Sequence, residues 1–233
     1  MNKLKVAYFG GGPVGNAVLR YLAIQESVEV VAVAAWKRKR KAWWEVPDIA
    51  AIAGELRLPT IENEDLLNDT AFDVLFSVYY DQIIRSKVLA LPKVAAINLH
   101  GGPLPEYRGR FTFLHAILNG ESQYGATLHL MDEGMDTGAI IAKRLFSIGE
   151  RTTAKELYDM TSEVAIQLFK DTLATIVDLS FVATPQEAGT YTYRTGDLPD
   201  GEVNLSWDSG YIDRYIRALY FPPFDPAFIR IGT

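Results

Sequence analysis

Short apolar runs alternate with amphipathic stretches along the first half of the chain, and this alternation limits the possible folds more than any other feature of the sequence. Four runs have the length and apolar content of buried strands: residues 4–9, 28–35, 72–79 and 94–99. Residues 14–25 carry apolar side chains at helical spacing. Strands interleaved with helices predict a mostly parallel sheet with crossover helices.

The second half of the chain adds two strands, a long helix and a region of different composition. Residues 126–131 and 139–148 are predicted strands, and Thr152 or Thr153 with Glu156 resembles a capping box that opens a helix over about residues 154–179. Beyond Pro185 the composition shifts to Gly, Thr, Tyr and Asp. There we predict a β-hairpin, with strands at residues 190–194 and 202–207, and a short helix at residues 209–219.

These elements predict an α/β protein with a Rossmann-like, mixed but mostly parallel sheet flanked by helices, and a small C-terminal β-hairpin appendage. We place the boundary between a catalytic domain at residues 1–180 and an appendage at residues 181–233. Ligands bind such sheets at the carboxyl ends of the strands. The positions to inspect therefore follow Phe9, Tyr79 and Asn98.

Composition excludes several functional classes. The chain has 233 residues, with 23 Lys and Arg against 29 Asp and Glu, so its net charge is −6. This acidity argues against a protein that mainly binds nucleic-acid phosphates. The absence of cysteine excludes thiolate catalysis and cysteine-ligated metals. With only three histidines, we expect no metal site.

Neither membrane nor export signals are evident in the sequence. No apolar stretch approaches the ~20 residues that span a bilayer. The first apolar run breaks at Gly10 without a small-residue cleavage site behind it. We therefore expect a cytoplasmic protein with no membrane partner.

Residues 10–15 match the G-x-G-x-x-G dinucleotide fingerprint between a predicted strand and a helix. The acidic residue expected after the second strand is missing, and the basic run 37–41 stands in that region. A basic run suits a 2′-phosphate, so NADP stays open as a ligand. For residues 10–15 the alternative is a glycine turn that only packs a helix on the sheet. For residues 37–41 the alternatives are a solvated loop and a loop that attracts another anionic ligand.

Asn98 and His100 are the strongest catalytic candidates. Strand alternation places both on one face, and a loop rich in Gly and Pro follows where the sheet should end. Histidine exchanges protons near neutral pH, and an asparagine amide donates hydrogen bonds to a developing oxyanion. In the turn at residues 132–138 an acid could orient a histidine, although a solvated turn would look the same. We interpret His115 and His129 as structural.

The motifs together resemble the folate-dependent formyltransferase family. The resemblance rests on residues 98–101 (Asn-Leu-His-Gly), 104–109 (Leu-Pro-Glu-Tyr-Arg-Gly) and the turn that ends in residues 136–138 (Asp-Thr-Gly), and covers roughly residues 1–180. It implies a catalytic triad of Asn98, His100 and Asp136. Within the family, the sequence is most similar to sugar N-formyltransferases, which modify the amine of a nucleotide-linked amino sugar, including sugars of lipopolysaccharide or O-antigen.

The resemblance also implies a co-substrate, a substrate and a partner. N10-formyltetrahydrofolate would be bound by Gln82, Ile83, Ile84, Arg110, Asp132, Glu133, Gly134 and Met135. The nucleotide sugar, with dTDP favoured, would contact Tyr107, Arg108, Trp207 and Tyr220. The C-terminal hairpin would build a homodimer.

Under this resemblance a neutral sugar amine attacks the formyl carbon. Asn98 and protonated His100 would stabilise the oxyanion, and His100 would protonate N10 of the leaving folate. Asp136 would hold His100 and help remove the amine's proton. Alternatives are another formyl acceptor (glycinamide ribonucleotide or methionyl-tRNA), an NADP-dependent oxidoreductase, and a sugar-nucleotide-binding protein without activity.

Overall fold

The computed structural model describes residues 3–35, 46–187 and 191–231. The basic run 37–41 lies outside these ranges. Nine strands are present in the described residues: β1 Leu4–Gly10, β2 Val28–Ala34, β3 Thr60–Ile61, β4 Val74–Val78, β5 Ala95–His100, β6 Arg108–Gly109, β7 Gln123–Leu130, β8 Ile140–Ser147 and β9 Thr192–Tyr193. The α-helices there are α1 Gly12–Ala23, α2 Ile49–Glu55, α3 Ser86–Leu89, α4 Thr112–Asn119, α5 Ala154–Val177 and α6 Ser209–Leu219.

Seven strands form one sheet in the order β3-β2-β1-β4-β5-β7-β8. The first five of these are parallel, and β7 and β8 are added by antiparallel pairing. The predicted mixed, mostly parallel sheet is therefore confirmed. Because β4 and β5 are parallel, their carboxyl ends lie at the same edge, where ligand sites of such sheets are found.

The sheet is buried on both faces. In β1, Val6 and Tyr8 join one apolar cluster, whereas Ala7 and Phe9 join another, as strand alternation requires. Helices α1 and α5 cover the first face; Phe169 of α5, for example, meets Phe76 edge-on at 4.9 Å between ring centroids. Burial on both faces explains why the strands were recognisable as nearly continuous apolar runs.

The glycine-rich turn has a packing function in this fold. A Cβ on Gly15 would lie 3.1 Å from the carbonyl carbon of Gly10 and 3.3 Å from the carbonyl oxygen of Val78. The buried Tyr8 hydroxyl donates to the Gly15 carbonyl at 2.6 Å. Glycine at position 15 therefore lets helix α1 pack closely on the sheet, and a Cβ there would force its backbone neighbours to shift by a few tenths of an ångström.

Local signals placed the long helix correctly. Helix α5 begins after Thr153, whose hydroxyl accepts from the Glu156 backbone N–H while the Glu156 carboxylate accepts from the Thr153 backbone N–H. This is the predicted capping box. The predicted helix at residues 209–219 is α6. None of the described helices has the length and apolar content to cross a membrane.

The predicted C-terminal hairpin is wrong. Strand β9 pairs in parallel with β6, and Glu202 forms an isolated parallel bridge with Phe228. The pairing is decided by long-range aromatic packing, because the Tyr193 ring stacks on Tyr107 at 5.6 Å and on His115 at 4.2 Å. The local turn signal could not show this. The domain boundary at residue 180 stays a prediction.

Candidate active site

Strand β5 brings Asn98 and His100 to the carboxyl edge of the sheet, on one face as predicted. On one side Asn98 lies opposite Ser77 of β4, and on the other side it lies opposite His129 of β7. Side chains directly opposite in adjacent strands are close enough to interact. The antiparallel addition of β7 therefore brings a second histidine into the site.

His129 contacts two members of the predicted triad. Its Nε2 atom lies 3.1 Å from Nδ2 of Asn98 and 3.5 Å from Oδ1 of Asp136. Its Nδ1 atom lies 2.7 Å from the carbonyl oxygen of Leu130 and donates to it, so Nε2 of a neutral ring accepts from the Asn98 amide. The sequence interpretation of His129 as purely structural missed this contact. The alternation from Asn98 to His100 gave no information on the register of β7.

Asp136 lies in the loop between β7 and β8, and its backbone adopts the left-handed conformation with φ of 56°. Its Oδ2 accepts a 2.8 Å hydrogen bond from the Gly109 backbone N–H. Burial raises the pKa of this carboxyl, but His100 and the Gly109 N–H lower it, and the net pKa lies well below the usual range. Asp136 is therefore a carboxylate at neutral pH.

An oxygen atom lies near each ring nitrogen of His100, but only one of the two is at hydrogen-bond distance. Its Nε2 lies 2.7 Å from the Tyr107 carbonyl oxygen, and its Nδ1 lies 3.6 Å from Oδ2 of Asp136. A protonated ring offers an N–H to each oxygen, whereas a neutral ring that donates to Tyr107 turns a lone pair toward the carboxylate. A Cβ on Gly102 would lie 2.7 Å from His100 Nε2, so the loop after β5 needs glycine there.

The residues predicted to bind folate lie on two segments. The first follows β4: Ile84 is buried in the second apolar cluster, Ile83 is 83% exposed and Gln82 is partly buried. The second is the Asp136 loop, in which residues 132–135 are exposed. Arg110 is exposed at the end of β6, with its guanidinium 5.9 Å from the Phe111 ring centroid.

The residues predicted to contact the sugar nucleotide have different surroundings. Tyr107 is buried, and its hydroxyl donates to Glu121 at 2.8 Å; burial raises its pKa. Arg108 is buried and donates to Gln186. Trp207 packs against Tyr211 and Tyr215, and Tyr220 is half exposed. No contact found in the described ranges joins these last two to the triad.

Metal ligation has no candidate group in the part of the chain that the structure describes. There, no three His, Asp or Glu side chains are arranged to hold an ion. The site offers an amide donor and an imidazole on either side of one carboxylate: Asn98 lies 3.4 Å from Asp136, and His100 lies 3.6 Å from it. These groups can stabilise a developing oxyanion and move a proton.

Comparison with known proteins agrees with this chemistry. A family model described as formyl transferase matches residues 4–173. The chain belongs to the formyl transferase family. The matched region contains all seven strands of the main sheet, all three predicted catalytic residues and His129.

Individual relatives within this family act on different acceptors. GDP-perosamine N-formyltransferase from Brucella melitensis is 35% identical over 162 residues, which are 68% of this chain and 61% of the relative. Methionyl-tRNA formyltransferase from Synechococcus sp. is 39% identical over 141 residues, 60% of this chain and 44% of the relative. This chain therefore covers less than two thirds of the length of each.

A solved structure extends the likeness to the whole length of this chain. It is the N-formyltransferase from Helicobacter canadensis in complex with folinic acid and dTDP-3-aminofucose. It superposes with a TM-score of 0.82, shares 26% sequence identity, and the match covers 100% of this chain and 85% of the other.

Proposed function

We propose that this protein transfers the formyl group of N10-formyltetrahydrofolate to the amine of a nucleotide-linked amino sugar. The observation that carries the proposal is the meeting of Asn98, His100 and Asp136 at the carboxyl edge of the sheet. The named sugar relative and the folinic acid and dTDP-sugar in the similar structure support the donor and acceptor classes. We retain dTDP as the favoured nucleotide.

The first step is attack of the neutral amine on the formyl carbon, which places negative charge on the formyl oxygen. Asn98 has two amide hydrogens. One donates to His129 at 3.1 Å, and the other meets Asp136 only at a long 3.4 Å, so we assign this second hydrogen to the developing oxyanion. Protonated His100 supplies the second donor through Nδ1, because Nε2 already donates to the Tyr107 carbonyl whereas Nδ1 lies 3.6 Å from Asp136, beyond hydrogen-bond distance.

The intermediate then collapses with cleavage of the bond between the formyl carbon and N10. A proton passes from His100 to N10 of the departing folate, and the amine's extra proton passes to Asp136, directly or through water. The product is a formamide on the sugar and tetrahydrofolate. The Asp136 carboxylate lies 3.6 Å from Nδ1 of His100 and faces this side of the ring.

The second candidate acceptor is methionyl-tRNA, because a tRNA formyltransferase is among the relatives. The chain's net charge of −6 argues against it, since tRNA binding depends on contacts between basic side chains and phosphates. The two acceptors can be separated in one assay.

A homodimer belongs to the same proposal. Helix α6 and the segment after it carry six large apolar side chains that are about half exposed or more: Ile216, Tyr220, Phe224, Phe228, Ile229 and Ile231. Exposed apolar groups in such numbers are typical of interaction surfaces. Sedimentation of the full chain tests this, and a monomer at all concentrations would contradict it. We also retain a cytoplasmic location as part of the proposal.

Mass spectrometry tests the reaction directly. The protein is mixed with N10-formyltetrahydrofolate and a panel of dTDP-, UDP- and GDP-linked 3-amino and 4-amino sugars, with glycinamide ribonucleotide and methionyl-tRNA in parallel. We expect a folate-dependent gain of one CO unit on a nucleotide sugar. A gain only on tRNA or glycinamide ribonucleotide would contradict the proposed acceptor.

A further inference from the structure

We propose that Gln186 is a positioning residue that holds the Asp136 loop in its reactive geometry. Gln186 lies after α5 and outside the region that the family model matches. Its role in catalysis rests on the proposed function, although the contact itself does not. The inference assigns to the segment after α5 a task within the active site.

The Gln186 amide clamps two carbonyl groups of the Asp136 loop. Its Nε2 donates to the carbonyl oxygen of Asp136 at 2.9 Å and to that of Gly138 at 2.6 Å. These two hydrogen bonds use both amide hydrogens and span the turn that follows the catalytic carboxylate. They therefore restrain the left-handed backbone at Asp136, a conformation that costs energy for a residue with a Cβ.

Arg108 fixes the orientation of the Gln186 amide. Its Nε and Nη2 atoms lie 3.0 Å and 2.7 Å from Gln186 Oε1, and Nη2 also lies 3.2 Å from the Glu187 carbonyl oxygen. Arginine only donates hydrogen bonds, so the amide must turn its oxygen to Arg108 and its NH₂ to the loop. Arg108 is buried, and the charged donor strengthens these bonds.

The contacts form a closed circuit through the catalytic carboxylate. Arg108 binds Gln186, Gln186 binds the Asp136 carbonyl, and the Asp136 carboxylate accepts from the N–H of Gly109, which follows Arg108 in the chain. Asp136 is thus held at its backbone and at its side chain by one connected unit. Pre-organisation of this kind keeps the carboxylate in line with His100 before substrate binds.

A pair of variants tests the clamp by kinetics. Gln186→Leu keeps a side chain of similar bulk without hydrogen bonds, and Gln186→Glu keeps the acceptor for Arg108 but turns oxygen toward two carbonyls. We expect kcat to fall about 10- to 100-fold in both, with little change in KM for either substrate. Glu187→Ala, which removes the neighbouring exposed side chain, is the control and keeps wild-type kcat. Wild-type kcat in Gln186→Leu would overturn the proposal.

Hydrogen exchange supplies a readout that needs no substrate. We expect the backbone amides of residues 131–138 to exchange faster in Gln186→Leu than in wild type or Glu187→Ala, while the amides of β1 and β4 keep their protection and show that the variant is folded. Unchanged exchange in the loop would overturn the clamp. Faster exchange in a protein whose wild type formylates no acceptor would refute the proposed function and leave the clamp standing.

A double variant tests whether Arg108 acts through Gln186. Arg108→Met keeps the buried stem and removes the guanidinium. If the two residues act as one unit, the double variant Arg108→Met with Gln186→Leu has the same kcat as Gln186→Leu alone. Multiplied losses in kcat would overturn this chain of contacts and indicate that Arg108 touches the substrate itself.

Discussion

The Nε2 atom of His129 lies 3.1 Å from the Nδ2 atom of Asn98, and this contact fixes the direction in which the Asn98 amide donates. The other nitrogen of His129 is held by the Leu130 carbonyl at 2.7 Å, so the ring has one orientation and one neutral tautomer. A buried histidine thereby orients an asparagine that the proposed reaction uses directly.

Replacement of His129 tests this orientation. In His129→Phe the Asn98 amide loses its acceptor, so we expect kcat to fall about tenfold, less than on loss of Asn98 itself. Steady-state kinetics with saturating substrates measures the effect. His115→Phe, at a second buried histidine whose ring stacks on Tyr193, is the matched control and keeps its activity. Equal losses in both variants would contradict a specific role for His129.

Loss of Asn98 or Asp136 tests the catalytic assignment. Removal of an oxyanion donor costs about 10²–10³ in rate, and we expect at least that loss in Asn98→Ala and in Asp136→Ala, with circular dichroism unchanged. Single-turnover rates give the comparison, with the exposed Asn68→Ala as the control. A rate within about tenfold of wild type in either variant, ~1.4 kcal/mol in barrier, would refute the assignment.

The lowered pKa of Asp136 predicts a pH-dependent contribution to stability. A carboxyl whose pKa is lower in the folded state than in the unfolded state stabilises the fold above the unfolded pKa of about 3.9, and this contribution is lost as the pH falls toward the folded value. We therefore expect wild type to exceed Asp136→Asn in unfolding free energy at neutral pH. Urea unfolding should show the difference shrinking below about pH 4. A difference that grows on acidification would contradict this.

His115 is predicted to have the opposite effect on the pH dependence of stability, because it is a buried base that is harder to protonate in the folded state. Burial lowers the pKa of His115, with Asp197 opposing the effect in part, and its Nε2 has no hydrogen-bond partner. The unfolded state therefore takes up a proton near pH ~6.5 more readily than the folded state, so stability falls as the pH drops below that value. We expect His115→Phe, which keeps the ring stacked on Tyr193, to lose less stability than wild type between pH 7 and pH 5. Identical losses in urea midpoint would be inconsistent with this role.

Replacement of Gly109 tests the backbone hydrogen bond that Asp136 accepts. Its φ is +97°, and a Cβ there would lie 2.0 Å from the Tyr193 carbonyl oxygen. Gly109→Ala should therefore separate β6 from β9, weaken the N–H bond to Asp136 and lower both kcat and melting temperature, with a stability cost of about 1–3 kcal/mol. Gly196→Ala, where a Cβ meets nothing within 4 Å, is the control. Normal activity in Gly109→Ala would show that this N–H is dispensable.

The parts of the fold that were predictable are those with local signals. Alternation placed Asn98 and His100 on one face, the capping box placed the start of α5, and apolar runs on both faces of the sheet gave the strands. The triad came from the resemblance and not from spacing. Its members do meet in the structure.

The parts that were missed depend on contacts between distant residues. Asn98 and His129 are 31 positions apart, and Arg108 and Gln186 are 78 apart. Neither pair shares a local motif, because strand register and the path of the chain after α5 bring them together. The same reason explains the wrong hairpin, since β9 is fixed by the distant rings of Tyr107 and His115.

The most direct measurement follows an isotopically labelled formyl carbon from N10-formyltetrahydrofolate by NMR, with the nucleotide-linked amino sugar that the mass screen selects. We expect the label to appear as a sugar formamide with wild type, and to stay on the folate with Asn98→Ala, His100→Ala and Asp136→Ala over the same time. Labelled formamide formed at the wild-type rate by these variants, or label that never leaves the folate with wild type and any amino sugar, would contradict formyl transfer at this site.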